Sequence, residues 1–231
     1  MKGTLYGVGI GPGDPELLTL KAVRILRLCQ VIAVPQTKGG KMLAFEIASQ
    51  AVDLSKKEIL PLFFSMDHKL ENRKKYHQDA VQKIKVYLDA GQNVAMLNLG
   101  DVSLYATFCY LMESFQKEYP VEMVPGVPSF CAVAAVLKTS LTEIDTPLHI
   151  IPAGNFPIQQ ALSFPGTKVL MKSGKQIPQV IEKLREEGLQ ERSALVQNCG
   201  LPDEKIYAGL EEPIENSGYF TTIIVKGGEN E

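Results

Sequence analysis

Three short loops hold the residues best placed to do chemistry. The first is Val8-Gly9-Ile10-Gly11-Pro12-Gly13-Asp14. Its glycines let the backbone approach a ligand with no Cβ atoms in the way. The spacing is not that of a dinucleotide fingerprint: the third glycine comes too early, and Pro12 removes an N–H that a phosphate would want. The second loop is Leu97-Asn98-Leu99-Gly100-Asp101-Val102-Ser103-Leu104-Tyr105. A Gly-Asp pair at a strand end offers main-chain groups and one carboxylate, which suit the ribose hydroxyls and amino group of a nucleoside. The third is Val124-Pro125-Gly126-Val127-Pro128-Ser129-Phe130. Each loop also has a plainer reading: a glycine turn shaped by packing, a turn that caps a helix, and a Ser129 N-cap with Phe130 in the core.

Other chemistries find little support. His68, His77 and His149 are far apart, and Cys29, Cys109, Cys131 and Cys199 form no Cys-x-x-Cys pair. A protein-built metal centre is not expected, and the cysteines read as buried free thiols. No Walker-type Gly-Lys-Ser/Thr follows the first loop, and no Ser/His/Asp or paired-carboxylate arrangement stands out.

The elements that must position these loops follow from periodicity. Leu5 to Ile10, Val31 to Pro35, Val94 to Leu97 and Val121 to Val124 read as strands. Helices are expected over Leu17 to Leu28, Ala44 to Val52, Tyr76 to Ala90 with Gly91 as its cap, and Leu104 to Phe115. Lys56 to Lys75 reads as a strand and an exposed loop. This alternation predicts a parallel sheet with helices on its faces, so the three loops would meet along one sheet edge. The second half differs. A small alanine-rich helix over Ser129 to Leu137 and an amphipathic one over Ile177 to Glu187 accompany four strands, at Leu148 to Pro152, Lys168 to Met171, Ala194 to Gln197 and Thr221 to Val225. A mixed sheet is expected there, with the domain boundary near Pro125 to Pro128 and a frayed polar tail from Gly227.

Taken together the loops resemble the signatures of the tetrapyrrole methylases of corrin and siroheme biosynthesis, over nearly the whole chain. The run from Gly9 to Ala22, Gly-Ile-Gly-Pro-Gly-Asp-Pro-Glu-Leu-Leu-Thr-Leu-Lys-Ala, is similar to that family's opening signature. Gly100-Asp101 is similar to its second, with Val102 where the family usually has proline, and Pro125 to Phe130 to its third. Leu-Gly-Asp followed by Leu-Tyr-Ala-Thr-Phe, and Met-Lys-x-Gly at Met171 to Gly174, look most like the branch that methylates carbon 20 of precorrin-2 or cobalt-factor II. The resemblance implies two α/β domains, residues 1–124 with a mainly parallel sheet and 125–231 with a mixed one, and a cleft between them. It places the tetrapyrrole on the N-terminal side and implies S-adenosylmethionine as methyl donor, leaving S-adenosylhomocysteine.

By the same resemblance the donor is gripped by Pro12, Leu99, Gly100, Asp101, Leu104, Ser129 and Phe130. From the second domain Met171, Asn198, Cys199, Thr221 and Thr222 close over it. Without the resemblance Met171 reads as core filler and Asn198-Cys199-Gly200 as an ordinary loop. A valine at Gly100 is expected to intrude where the donor lies. The donor is already activated, so the protein's work is to hold two reactants in near-attack geometry and exclude water. No proton acceptor can be chosen; Tyr105 and Asp101 lie near the expected cleft, each with a structural role as an alternative. Other readings within reach are a sister enzyme acting at carbon 11 or 17, a ribosomal RNA methylase, and a non-catalytic regulator that binds the donor. The 231 residues are 45% hydrophobic and 22% charged with a net charge of −2. No basic field favours nucleic acid or a membrane, and neither a secretory signal nor a membrane span is expected. A cytoplasmic homodimer is the expected form.

Overall fold

Leu5-Tyr6-Gly7-Val8-Gly9 and Val94-Ala95-Met96-Leu97-Asn98 are buried at every position, as strands covered on both faces must be. They form the centre of a sheet in the computed structural model, which describes residues 1–37, 39–64, 70–211, 214, 218 and 220–227, without the side chains of 70–73 and 175. The chain divides into two compact units after Pro128.

The first unit runs β1 (Leu5–Gly9), α1 (Leu20–Leu28), β2 (Val31–Gln36), α2 (Leu43–Ala51), β3 (Glu58–Phe63), α3 (Leu70–Asp89), β4 (Val94–Asn98), α4 (Thr107–Phe115) and β5 (Val121–Val124). All five strands are parallel, in the order β3-β2-β4-β1-β5. From β1 the chain moves one way across the sheet to β2, and from β4 it moves the other way to β5. Open parallel sheets hold ligands at the carboxyl ends of strands where connections diverge in this way. One apolar cluster joins α3 (Ala80, Ile84, Leu88) and α4 (Phe108, Leu111, Phe115) to Leu5, Val31, Val94 and Met96 on one face of the sheet. Helices α1 and α2, which touch β1, β2 and β4, contribute nothing to that cluster.

The second unit runs α5 (Ser129–Val136), β6 (Leu148–Pro152), α6 (Ile158–Leu162), β7 (Thr167–Met171), α7 (Ile177–Glu186), β8 (Ser193–Gln197), β9 (Lys205–Ala208) and β10 (Thr221–Val225). Its sheet has the order β6-β7-β10-β8-β9; β6 and β7 are parallel and the other pairs antiparallel. Ile177, Val180, Ile181 and Leu184 bury the apolar stripe of α7 against Leu170, Leu195 and Ile223. Two α/β domains, one sheet parallel and one mixed, are thus what the sequence pattern describes.

Local differences have local causes. The expected helix from Leu17 is a single 3-10 turn over Pro15–Leu17, capped by Asp14, and α1 begins only after Thr19, whose hydroxyl accepts from the Ala22 N–H at 3.1 Å. The helix expected from Leu104 begins at Thr107, because Tyr105 stands at φ 53°, which no right-handed helix admits. Helix α3 begins at Leu70, ahead of Tyr76, while 65–69 of the expected loop lie outside the described residues. Two short elements, α6 and β9, carry too little periodicity to be read from sequence. Of the expected polar tail only Gly227 is described.

Candidate functional site

The three loops leave β1, β4 and β5, three adjacent strands, at the same edge of the first sheet. They are tied to one another by hydrogen bonds, main-chain between the first two and through side chains to the third. Gly11 and Gly100 exchange both hydrogen bonds, Gly11 N–H to Gly100 C=O at 3.2 Å and Gly100 N–H to Gly11 C=O at 2.8 Å. The Asp101 carboxylate reaches the third loop: Oδ2 accepts from the Gly126 N–H at 2.8 Å, while Oδ1 accepts from the N–H of Ser103 at 2.8 Å and from its hydroxyl. Gly126 lies so close to the second loop that a Cβ there would sit 2.3 Å from the Gly100 carbonyl oxygen. Thr19, besides capping α1, donates its hydroxyl to the Pro125 carbonyl at 3.4 Å.

Partial burial opposes ionisation of Asp101. The hydrogen bonds from Ser103, Gly126 and Val102 outweigh it and hold the carboxyl below its ordinary value of 3.8. Asp101 is therefore first a brace between loops. Gly100 stands at φ 69°, in the left-handed region that suits glycine. A valine there strains the backbone and endangers the Gly11 pairing, so it would disturb the loop itself as well as any ligand.

Pro12, Leu99 and Leu104 are partly buried along this edge, and Val102, where the resemblance leads one to expect proline, is 1% exposed in the α3–α4 cluster. Ser129 is the first residue of α5, so it follows the cap position, and Phe130 is buried.

The second unit gathers its expected residues at one end of its own sheet. Strand β10 is antiparallel to both neighbours, so its first residues lie beside the last of β7 and β8: Thr222 faces Met171 and Thr221 faces Gln197. The Asn198 N–H donates to the Phe220 carbonyl at 2.8 Å, and the Ala153 N–H to the Met171 carbonyl at 2.8 Å. The Asn198-Cys199-Gly200 turn is set by carboxylates, with Asn198 Nδ2 donating to Asp203 at 2.8 Å and the Gly200 N–H to Glu204 at 2.8 Å. Burial, with Glu204 nearby, pushes the Cys199 thiol up to about 12, so it stays protonated at neutral pH. Cys29 and Cys199 are the buried thiols expected, whereas Cys109 is half-buried and Cys131 exposed.

Two residues at this end have no counterpart in the sequence reading. Ser173 and Gln197 are each 3% exposed, yet Ser173 Oγ and Gln197 Nε2 have no hydrogen-bond partner. Leaving such a group unsatisfied costs about 1–3 kcal/mol, which marks a place where a ligand atom or a water belongs. Nearby backbone is strained as well: Lys172 stands at φ 55° and Asn198 at φ 52°. Such outliers cluster at ligand sites. Nothing in residue type or spacing signals Ser173 or Gln197: Gln197 ends an ordinary strand, and Ser173 is the variable residue of the Met171 to Gly174 run.

A family model for tetrapyrrole (corrin/porphyrin) methylases matches residues 4–214. The chain belongs to that family. Among tetrapyrrole methylases it is 34% identical over 229 residues to a probable cobalt-precorrin-2 C(20)-methyltransferase of Methanocaldococcus jannaschii, covering 96% of this chain and 95% of that one. It is 29% identical over 240 residues to the cobalamin biosynthesis protein CobIJ of Mycobacterium tuberculosis, covering 98% of this chain but 46% of that protein. The chain thus spans about half the length of that relative. In fold it resembles a uroporphyrin-III C-methyltransferase from Thermus thermophilus, solved in complex with S-adenosylhomocysteine, with a TM-score of 0.68 at 24% identity over 96% of this chain and 97% of that one.

Proposed function

We propose that the chain transfers a methyl group from S-adenosylmethionine to carbon 20 of a reduced tetrapyrrole, precorrin-2 or cobalt-factor II, in cobalamin synthesis. The observation that carries this reading is the likeness, end to end, to a relative named for that reaction. The structure of a family member with S-adenosylhomocysteine supports the choice of donor.

The residues present fit such a donor. Adenosine and the methionine carboxylate are rich in hydrogen-bond acceptors, and the buried Gln197 Nε2 is a donor in need of one. Ser173 Oγ can donate or accept, which suits a ribose hydroxyl. In the first unit Pro12 and the main chain of Leu99, Gly100 and Leu104 hold the donor, with Asp101 bracing the turn; Ser129 and Phe130, at the start of α5, are the first of the second unit's residues to do so. In the second unit Met171, Asn198, Cys199, Thr221 and Thr222 hold it, the protonated Cys199 by packing alone. When bound, S-adenosylmethionine supplies a methyl group already activated by a sulfonium, so the chain's own task is to orient the two reactants and keep water out. The working form is a cytoplasmic homodimer. Sedimentation at micromolar concentration and cell fractionation test this; a monomer or a membrane-bound pool contradicts it.

The function itself is tested by mixing the protein with labelled S-adenosylmethionine and cobalt-factor II and weighing the ring by mass spectrometry. Label in the ring supports methyl transfer. Binding of both compounds with no transfer selects a regulator and overturns the proposal.

A further inference from the structure

The first unit carries an aromatic ladder outside the three loops. Phe64 follows the last residue of β3, His77 lies on α3 and Tyr110 on α4. The Phe64 and His77 rings meet edge to face with centroids 5.9 Å apart, and His77 stacks on Tyr110 at 5.7 Å with 20° between the planes. Phe63 and Tyr76 add an edge-to-face pair at 4.8 Å. The ladder begins in the core, where Phe64 packs against the α3–α4 cluster, and ends in solvent, where Tyr110 is 67% exposed. An aromatic ring stacked on one side and open over most of its surface is a platform for another flat group.

Its place in the fold says which group. Phe64 stands at the carboxyl end of β3, the sheet edge at which β4, β1 and β5 carry the three loops. Val102 of the second loop packs in the same cluster as Phe64, and Cys109 Sγ donates to the Val102 carbonyl at 3.3 Å, fastening the helix of Tyr110 to the Asp101 turn. One turn before His77, at helical i,i+3 spacing, the side chain of Lys74 is exposed. A conjugated face with a cation beside it complements a flat π-system that bears carboxylate arms.

We infer that the Phe64–His77–Tyr110 ladder, with Lys74 beside it, is the surface on which the tetrapyrrole ring rests. The inference builds on the proposed function and goes beyond it by assigning the acceptor subsite. Tyr110 contributes its ring face, and Lys74 pairs with a ring carboxylate.

The test uses the full chain and cobalt-factor II, with ring binding followed by its absorption spectrum and S-adenosylhomocysteine binding by calorimetry. Tyr110→Ala is expected to weaken ring binding about tenfold, in line with aromatic stacking on a flat base, while Tyr110→Phe stays near wild type. Lys74→Gln is expected to weaken it several-fold at low salt and less at high salt. S-adenosylhomocysteine affinity stays unchanged in all three, and each keeps a cooperative thermal transition. Ring binding by Tyr110→Ala as tight as wild type overturns the assignment and leaves the function standing. Loss of S-adenosylhomocysteine binding in that variant overturns it too, since the ladder would then serve adenine. A wild-type protein that binds no tetrapyrrole overturns the proposed function and this inference with it.

Discussion

Gly126 shows how much of the site rests on one missing side chain. A Cβ there would meet the Gly100 carbonyl oxygen at 2.3 Å and the Gly9 Cα at 2.9 Å, both backbone atoms that cannot swing aside. Gly126→Ala is therefore expected to destabilise the first unit by roughly 1–3 kcal/mol, the range for overpacking a tight site. Gly39→Ala is the control, because a Cβ at Gly39 meets nothing within 4 Å. Chemical denaturation reads both; a Gly126→Ala midpoint equal to wild type would show that the loops are looser than described. The residue scale is also where sequence says least. Gly126 is legible as a turn glycine between prolines, but its contact with Gly100 is a fact of tertiary structure. Ser173 and Gln197 carry no signal at all, because an orphaned polar atom is defined by what surrounds it.

Asp101 acts at the scale of elements, joining the end of β4 to the loop after β5 through the Gly126 N–H. Its folded pKa lies below 3.8, so the folded chain binds its proton less readily than the unfolded one does. The stability this contributes is fully present above the ordinary carboxyl value and is lost as pH falls through the lower, folded value. Asp101→Asn is expected to be less stable than wild type near neutral pH, with the gap narrowing as pH falls below about 4. A gap of constant size across denaturation curves at several pH values would mean that the carboxylate charge does not brace the loops. Much of this scale is legible in the sequence. The strands read as apolar runs ended by glycine or proline, and their alternation with helices requires a parallel sheet, which puts the three loops on one edge. Helix starts are less so. Thr19 and Asp14 are both good caps five residues apart, and periodicity alone merges the two turns they begin. The residues 104–106 have helical composition, but the left-handed Tyr105 keeps them in the loop that carries Asp101.

For the whole molecule, the two sheets each gather their expected residues at one end, and the family likeness runs through residues 4–214. Among the described residues no three His, Cys, Asp or Glu converge to hold a metal ion, and no helix is long and apolar enough to cross a membrane. From the scattered His and Cys residues of the sequence, with no His-Glu-x-x-His or Cys-x-x-Cys spacing, we propose that any metal in the reaction enters inside the ring, where four nitrogens would chelate it and change the electron density of the carbon that is methylated. If the proposed function holds, methyl transfer to a metal-free ring is expected to survive exhaustive chelation; transfer lost there and restored by added divalent metal would contradict this. Product NMR reads directly which carbon receives the methyl group. The protein is supplied with S-adenosylmethionine bearing a carbon-13 methyl and with cobalt-factor II, and the product is examined by NMR. A single new methyl resonance on carbon 20 is expected. A labelled methyl on carbon 11 or 17 instead would contradict it.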